Sequence, residues 1–213
     1  MDAHTYAGGG VEVAWVVCPQ RGAGQDRVRV VATASGVVIA LADGAGGTGG
    51  GAEAAQRIVD AVAEAAVSAS VRPTWAEMIE ALDRSPRLGG GQATAVIAEV
   101  ERDGLVGASA GDSQAWLVGA DGVHVLTASQ ERKPLVGAGA AATPFGGALA
   151  GASLLVATDG LFAYARRADV ARVVTSAREG GLDAAMRALV ALVRLPGGDL
   201  PDDVAIVLCR ATR

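Results

Sequence analysis

One lysine, two histidines and two cysteines are all that this 213-residue chain has of those residue types, and Phe, Trp and Tyr together make up 3% of it. With only His4 and His124 available, a histidine-rich zinc site is not expected, and no motif around His124 suggests a Ser-His-Asp triad. Cys18 and Cys209 lie far apart in strand-like segments. They read as buried free thiols, which points to a reducing, cytoplasmic setting. The scarcity of aromatics leaves no platform for stacked bases, and the formal charge of −5 argues against a nucleic-acid surface. No run of about 18 apolar residues exists, so no membrane span is expected. The opening MDAHTYAGGG has neither the basic start nor the apolar stretch of a signal peptide.

What is present is a chain of 51% hydrophobic and 19% charged residues, enough for one domain over 1–213 with a core of Val, Leu, Ile and Ala. Strands are expected at 11–18, 28–33 and 37–42, then at 93–101, 105–109, 114–118 and 123–126, with further strands at 154–158 and 204–210. Asp103-Gly104 and Asp121-Gly122 fall between consecutive runs, as hairpin turns do. Helices are expected from Glu53 to about Ser70, from a Thr74–Glu77 capping box to about Asp83, and over 168–176 and 182–193. His4 falls in a tail, and 127–151, rich in Gly, Ala and Pro, reads as irregular. Hairpin-linked strands with helices in two separate groups favour a layered α+β domain. The tryptophans, Trp15, Trp75 and Trp116, read as core or half-buried residues rather than ligand stackers.

The stretch VVIALADGAGGTGGGAEAA (37–55) carries the functional question. Its Gly44 to Gly49 segment matches the dinucleotide pattern G-x-G-x-x-G between a strand and a helix. Asp43 would repel a pyrophosphate there, and no acidic residue ends a second strand about 20 residues on, so an oxidoreductase reading is disfavoured. A P-loop needs a lysine, and Lys133 lies in another segment. More telling is where the acids fall. Asp43-Gly44 and Asp159-Gly160 each end an apolar run without a return strand. Asp112 sits at a third strand junction, Asp202 and Asp203 precede the last strand, and Asp26 opens the second. If neighbouring strands bring these acids to one edge, they need protonation or a cation, and carboxylates with a backbone carbonyl suit Mg2+ or Mn2+.

These segments, in order, resemble the metal-dependent type 2C serine/threonine protein phosphatases, as a minimal bacterial-type member. RGAGQD (21–26), LADGAGG (41–47), ATAV (93–96), GDSQAWL (111–117), ATDGLF (157–162) and PDDVAIVL (201–208) are each similar to a motif of that family. The resemblance implies a four-layer αββα sandwich with two antiparallel sheets between helix pairs and a reduced flap subdomain, given the short span between Leu126 and Leu154. It implies two or three Mn2+ or Mg2+ ions: Asp43 bridging two, the Gly44 carbonyl and Asp159 on one, Asp202 on the other. Asp112 with Asp159 would form a third position, and Asp26 would act through metal-bound water. Arg21 would grip the substrate phosphate, and a hydroxide activated between the ions at Asp43 would hydrolyse phosphoserine or phosphothreonine. The implied partner is a phosphorylated protein, the target of a serine/threonine kinase, with no nucleic acid or membrane involved. Departures from the family pattern are Ala45 for His or Met, Gln25 for Glu, Gly24 for Asn, Gln114 for Arg and Asp203 for Asn. Ala45 and the short flap leave a second reading open: a phosphatase-like module that binds a phosphoprotein or regulatory partner with little or no turnover.

Overall fold

The structure, a computed structural model, describes residues 3–46, 49–68 and 73–212. Eleven strands are described: β1 (His4–Gly8), β2 (Val11–Cys18), β3 (Arg27–Ala32), β4 (Gly36–Ala42), β5 (Ala95–Glu101), β6 (Gly104–Ala110), β7 (Gln114–Gly119), β8 (Gly122–Val125), β9 (Thr143–Ala148), β10 (Ser153–Ala157) and β11 (Val204–Ala211). The helices are α1 (Gly51–Val67), α2 (Trp75–Asp83), the single turn α3 (Asp159–Phe162), α4 (Arg167–Gly180) and α5 (Leu182–Val193).

The strands form two antiparallel sheets, one ordered β1-β2-β11-β10-β7-β8 and the other β3-β4-β5-β6-β9. The central strands have both faces covered, so their sequences run apolar without a break. In β4, Val37, Ile39 and Leu41 point between the sheets, while Val38, Ala40 and Ala42 meet α1 and α2. In β11, Ala205, Val207 and Cys209 face the inter-sheet core, while Val204, Ile206 and Leu208 meet α4 and α5. Three cores therefore stack between four layers: helices, sheet, sheet, helices. This is the expected α+β sandwich. Cys18 and Cys209 are buried in different cores and remain free thiols.

Local chemistry accounts for the helix boundaries. Thr74 accepts from the Glu77 amide while Glu77 reaches back to the Thr74 amide, the expected capping box. Gly50, at φ 74°, stands before α1 without a side-chain cap. The helix expected to reach about Ser70 ends at Val67, and residues 69–70 lie outside the described part. Gly47 and Thr48, inside the glycine run, lie outside it too.

Two expectations are corrected. His4 is not in a tail: β1 pairs with β2, and the His4 ring stacks on Trp15 with centroids 5.3 Å apart. The 127–151 span is not wholly irregular: β9 within it completes the five-stranded sheet against β6. The remaining 127–142 segment is anchored at its far end by Asp83, whose Oδ1 accepts the amides of Gly137, Gly139 and Ala140 at 2.8, 2.9 and 3.0 Å. Trp75 and Trp116 are buried and Trp15 half-buried, as expected of packing residues. No helix among the described residues is long and apolar enough to cross a membrane.

Candidate metal centre

Strand register brings the acids together. Arg27 pairs with Ala42, so Asp26 and Asp43, one step beyond each, stand side by side at the ends of β3 and β4. Leu41 pairs with Val96 and Ala95 with Ala110, which carries the rim on to Asp112 after β6. In the other sheet Ala157 pairs with Gln114 and Ile206, placing Asp159 beside the start of β7 and the approach to β11, where Asp202 and Asp203 lie. All of these ends open into one cavity of ≈ 630 Å³ that Arg21, Gln25, Asp43, Gly44, Asp112, Lys133, Asp159, Asp202 and Asp203 line.

Asp43, Asp112 and Asp159 converge most closely: one carboxylate oxygen from each lies within 4.8 Å of the others. Asp202 borders the same cavity outside that trio, with Oδ1 accepting the Asp203 amide at 2.9 Å. Asp26 is buried; its Oδ2 accepts the Thr158 hydroxyl at 2.8 Å, and Oδ1 has no hydrogen-bond partner.

Like charges about 4 Å apart repel by roughly 4 kcal/mol at an effective dielectric of about 20. Without a cation the acids must hold protons instead. Burial first, then Asp26 and Asp159, push the Asp43 carboxyl far above the usual carboxylate range. Burial likewise raises Asp26, only partly offset by the Thr158 hydroxyl, with Asp203 adding to the rise. Asp159 is raised by burial and by Asp112 and Asp202. A donor set of carboxylates only, with the orphaned buried oxygen of Asp26 behind Asp43, fits a hard divalent cation.

Several residues that position this site were given no role by sequence reasoning. Thr94 Oγ1 accepts the Asp43 amide at 3.0 Å and shares a hydrogen bond with Ser113 Oγ at 2.7 Å; the Thr94 amide in turn donates to the Asp43 carbonyl at 2.8 Å. Thr158 joins Asp26 to β11, because its Oγ1 also accepts the Ala205 amide at 3.0 Å. Asp203 is a loop clamp: Oδ1 accepts the Gln20 amide at 2.6 Å and Oδ2 the Gln25 amide at 2.5 Å, enclosing Arg21 between them.

Glycines mark two close approaches. A Cβ on Gly160 would strike the Asp203 carbonyl, and one on Gly44 would strike Gly51 at the start of α1. Gly44 does not adopt a positive φ, so close approach and not an unusual backbone conformation explains it.

Neither the protein-family models nor the curated proteins include a match to this sequence. Solved structures do match. The S. agalactiae serine/threonine phosphatase is 22% identical, with a TM-score of 0.76 over 95% of this chain and 100% of that one. The serine/threonine phosphatase of Staphylococcus aureus is 16% identical, with a TM-score of 0.78 over 94% of this chain and 95% of that one. A PstP catalytic domain in complex with two manganese ions is 19% identical, with a TM-score of 0.72 over 95% of this chain and 99% of that one. At these identities the likeness establishes the fold: two antiparallel sheets between helix layers, shared with bacterial serine/threonine phosphatases.

Proposed function

We propose that the chain is a metal-dependent protein phosphatase of the type 2C class, hydrolysing phosphoserine or phosphothreonine with Mn2+ or Mg2+. The observation that carries this reading is the convergence of Asp43, Asp112 and Asp159 from three strand ends, with carboxylate oxygens within 4.8 Å. A fold has little use for such mutually repelling groups unless cations separate them. Asp43, Asp112 and Asp159, with the Gly44 carbonyl and Asp202 at the cavity wall, would hold the ions, and Asp26 would accept a hydrogen bond from water beside Asp43. Divalent ions at such a site supply Lewis acidity, lowering the pKa of water and neutralising phosphoryl oxygens.

The chain's own residues do the rest. Arg21, exposed at the cavity mouth, presents its planar fork to two phosphate oxygens. Asp203 fixes the backbone of the loop that carries Arg21 before substrate arrives. Thr94 holds the Asp43 backbone from both sides and Thr158 holds Asp26. Water oxygen bonds to phosphorus as the P–O bond to the seryl or threonyl oxygen breaks. Ala45 has no proton to give, so the leaving oxygen takes its proton from water.

The soluble setting, the kinase whose product is reversed and the phosphoprotein substrate belong to this proposal. Ala45 favours one alternative, a module that binds phosphoprotein without turnover. Phosphate release from a phosphothreonine peptide in Mn2+ separates the two. The phosphatase reading expects turnover that Asp43→Asn lowers by at least ~100-fold, since loss of even an outer partner of a metal ligand costs about 10–100-fold. Tight peptide binding with no phosphate released would support the module and overturn the enzyme.

A further inference from the structure

Asp112 has a neighbour that the metal reading leaves unexplained. Arg132 Nη2 lies 3.2 Å from Asp112 Oδ2. Among the described residues this is the ion pair that reaches a member of the acid trio; Asp43 and Asp159 have none. The Asp112 side chain is 20% exposed, so the guanidinium reaches in to the acid while most of its own side chain stays in solvent, at 77% exposure.

The position of Arg132 is set by the segment that carries it. Two residues earlier, Gln130 Nε2 donates to the Ser113 carbonyl at 2.7 Å, next to Asp112 in the chain. Beyond it, Asp83 gathers the amides of Gly137, Gly139 and Ala140. A second cavity, of ≈ 360 Å³, lies on this side of the cluster; Asp112 and Asp159 line it as well as the larger one, and Arg132 lines only this second cavity. The cation thus meets the acid trio on the side of the second cavity, whereas Arg21 borders the larger one.

We infer that Arg132 is a tethered counter-ion of Asp112 that competes with a divalent cation for the Asp112–Asp159 flank, so that this chain loads two ions firmly and holds the third position with its own guanidinium. The inference rests on the proposed metal centre and deepens it. The physical case is charge and tether. The acid trio attracts any cation, and a guanidinium held by its own backbone competes at a high effective concentration. It brings one positive charge where a divalent ion brings two, and its pairing in partial solvent is screened by salt. The third ion is therefore weakened and not abolished.

The test is Mn2+ binding to the whole chain, followed by calorimetry and by electron paramagnetic resonance of free Mn2+, for the wild type, Arg132→Gln, Arg132→Lys and Arg132→Gln with Asp112→Asn. The exposed side chain at 132 can be changed without disturbing a core. Two firm ions are expected in the wild type. Arg132→Gln should tighten the weakest site by about 10-fold, a difference of about 1.4 kcal/mol. Arg132→Lys should tighten it less, and adding Asp112→Asn should cancel the gain. Superimposable isotherms for wild type and Arg132→Gln, or three equally tight ions in the wild type, would overturn the inference. Turnover is read separately: manganese binding without phosphate release defeats the phosphatase reading alone, and no manganese binding by any variant defeats both.

Discussion

Asp26 and Asp43 stand side by side at paired strand ends, one carboxyl anchored by Thr158 and the other facing the cavity; burial raises the proton affinity of both, and Asp26 adds to the rise at Asp43. In the metal-free protein this pair is a source of instability that pH controls. A carboxyl whose folded pKa lies above its unfolded value binds more protons in the folded chain. Stability therefore falls as pH rises from the ordinary carboxylate range, about 4, through the raised folded values. Calorimetric melts in chelator should show a falling melting temperature with rising pH. Asp43→Asn should flatten that slope and raise the melting temperature in neutral buffer by about 2–4 °C for each kcal/mol of repulsion relieved.

Adding metal should reverse the penalty. At a free Mn2+ concentration ~100 times the dissociation constant, one bound ion stabilises by about 2.7 kcal/mol. That corresponds to a rise of roughly 5–10 °C in melting temperature for a chain of this size. Asp159→Asn should lose most of the rise, while remaining folded in chelator.

The clamp at Asp203 predicts a split in kinetic constants. Asp203→Ala leaves the Gln20 and Gln25 amides without their partner, a loss of about 1–3 kcal/mol in the order of the Arg21 loop. The KM for a phosphopeptide should rise by about 10-fold or more, with manganese affinity changed far less. Equal losses in both would mean that Asp203 serves the metal and not the loop.

Asp83 should govern the 127–142 segment. Burial alone would raise its carboxyl, but the amides of Ala140, Gly139 and Gly137 outweigh it and hold the group below the usual range. A depressed folded pKa gives stability that is present above the unfolded value and is lost as pH falls through the folded one. Protection factors for exchange at the Gly137, Gly139 and Ala140 amides should therefore fall in acid, relative to the intrinsic rate at each pH, and Asp83→Ala should produce the same loss of protection in neutral buffer.

The sequence disclosed the central strands, the layered fold and the acids of the rim because those features are local. Strands such as β4 are apolar on both faces, and Asp-Gly pairs with no return strand stand out against the hairpin pairs at 103–104 and 121–122. The edges were harder to read. β1 and β9 are short outer strands; β9, as TPFGGA, contains a proline and two glycines and exists through its pairing with β6. The positioning contacts were invisible for a different reason. Asp203 accepts amides 183 and 178 residues away, and Thr158 reaches Asp26 across 132 residues, so no spacing announces them. The close approach of Gly51 to Gly44 is likewise a tertiary fact that no spacing announces.

Anomalous diffraction from crystals soaked in manganese tests the central claim most directly. The account predicts manganese peaks bound by Asp43 and Asp159 oxygens, and their loss in Asp43→Asn crystals treated alike. A cavity lined by Asp43, Asp112 and Asp159 that stays free of anomalous signal at saturating manganese would contradict it.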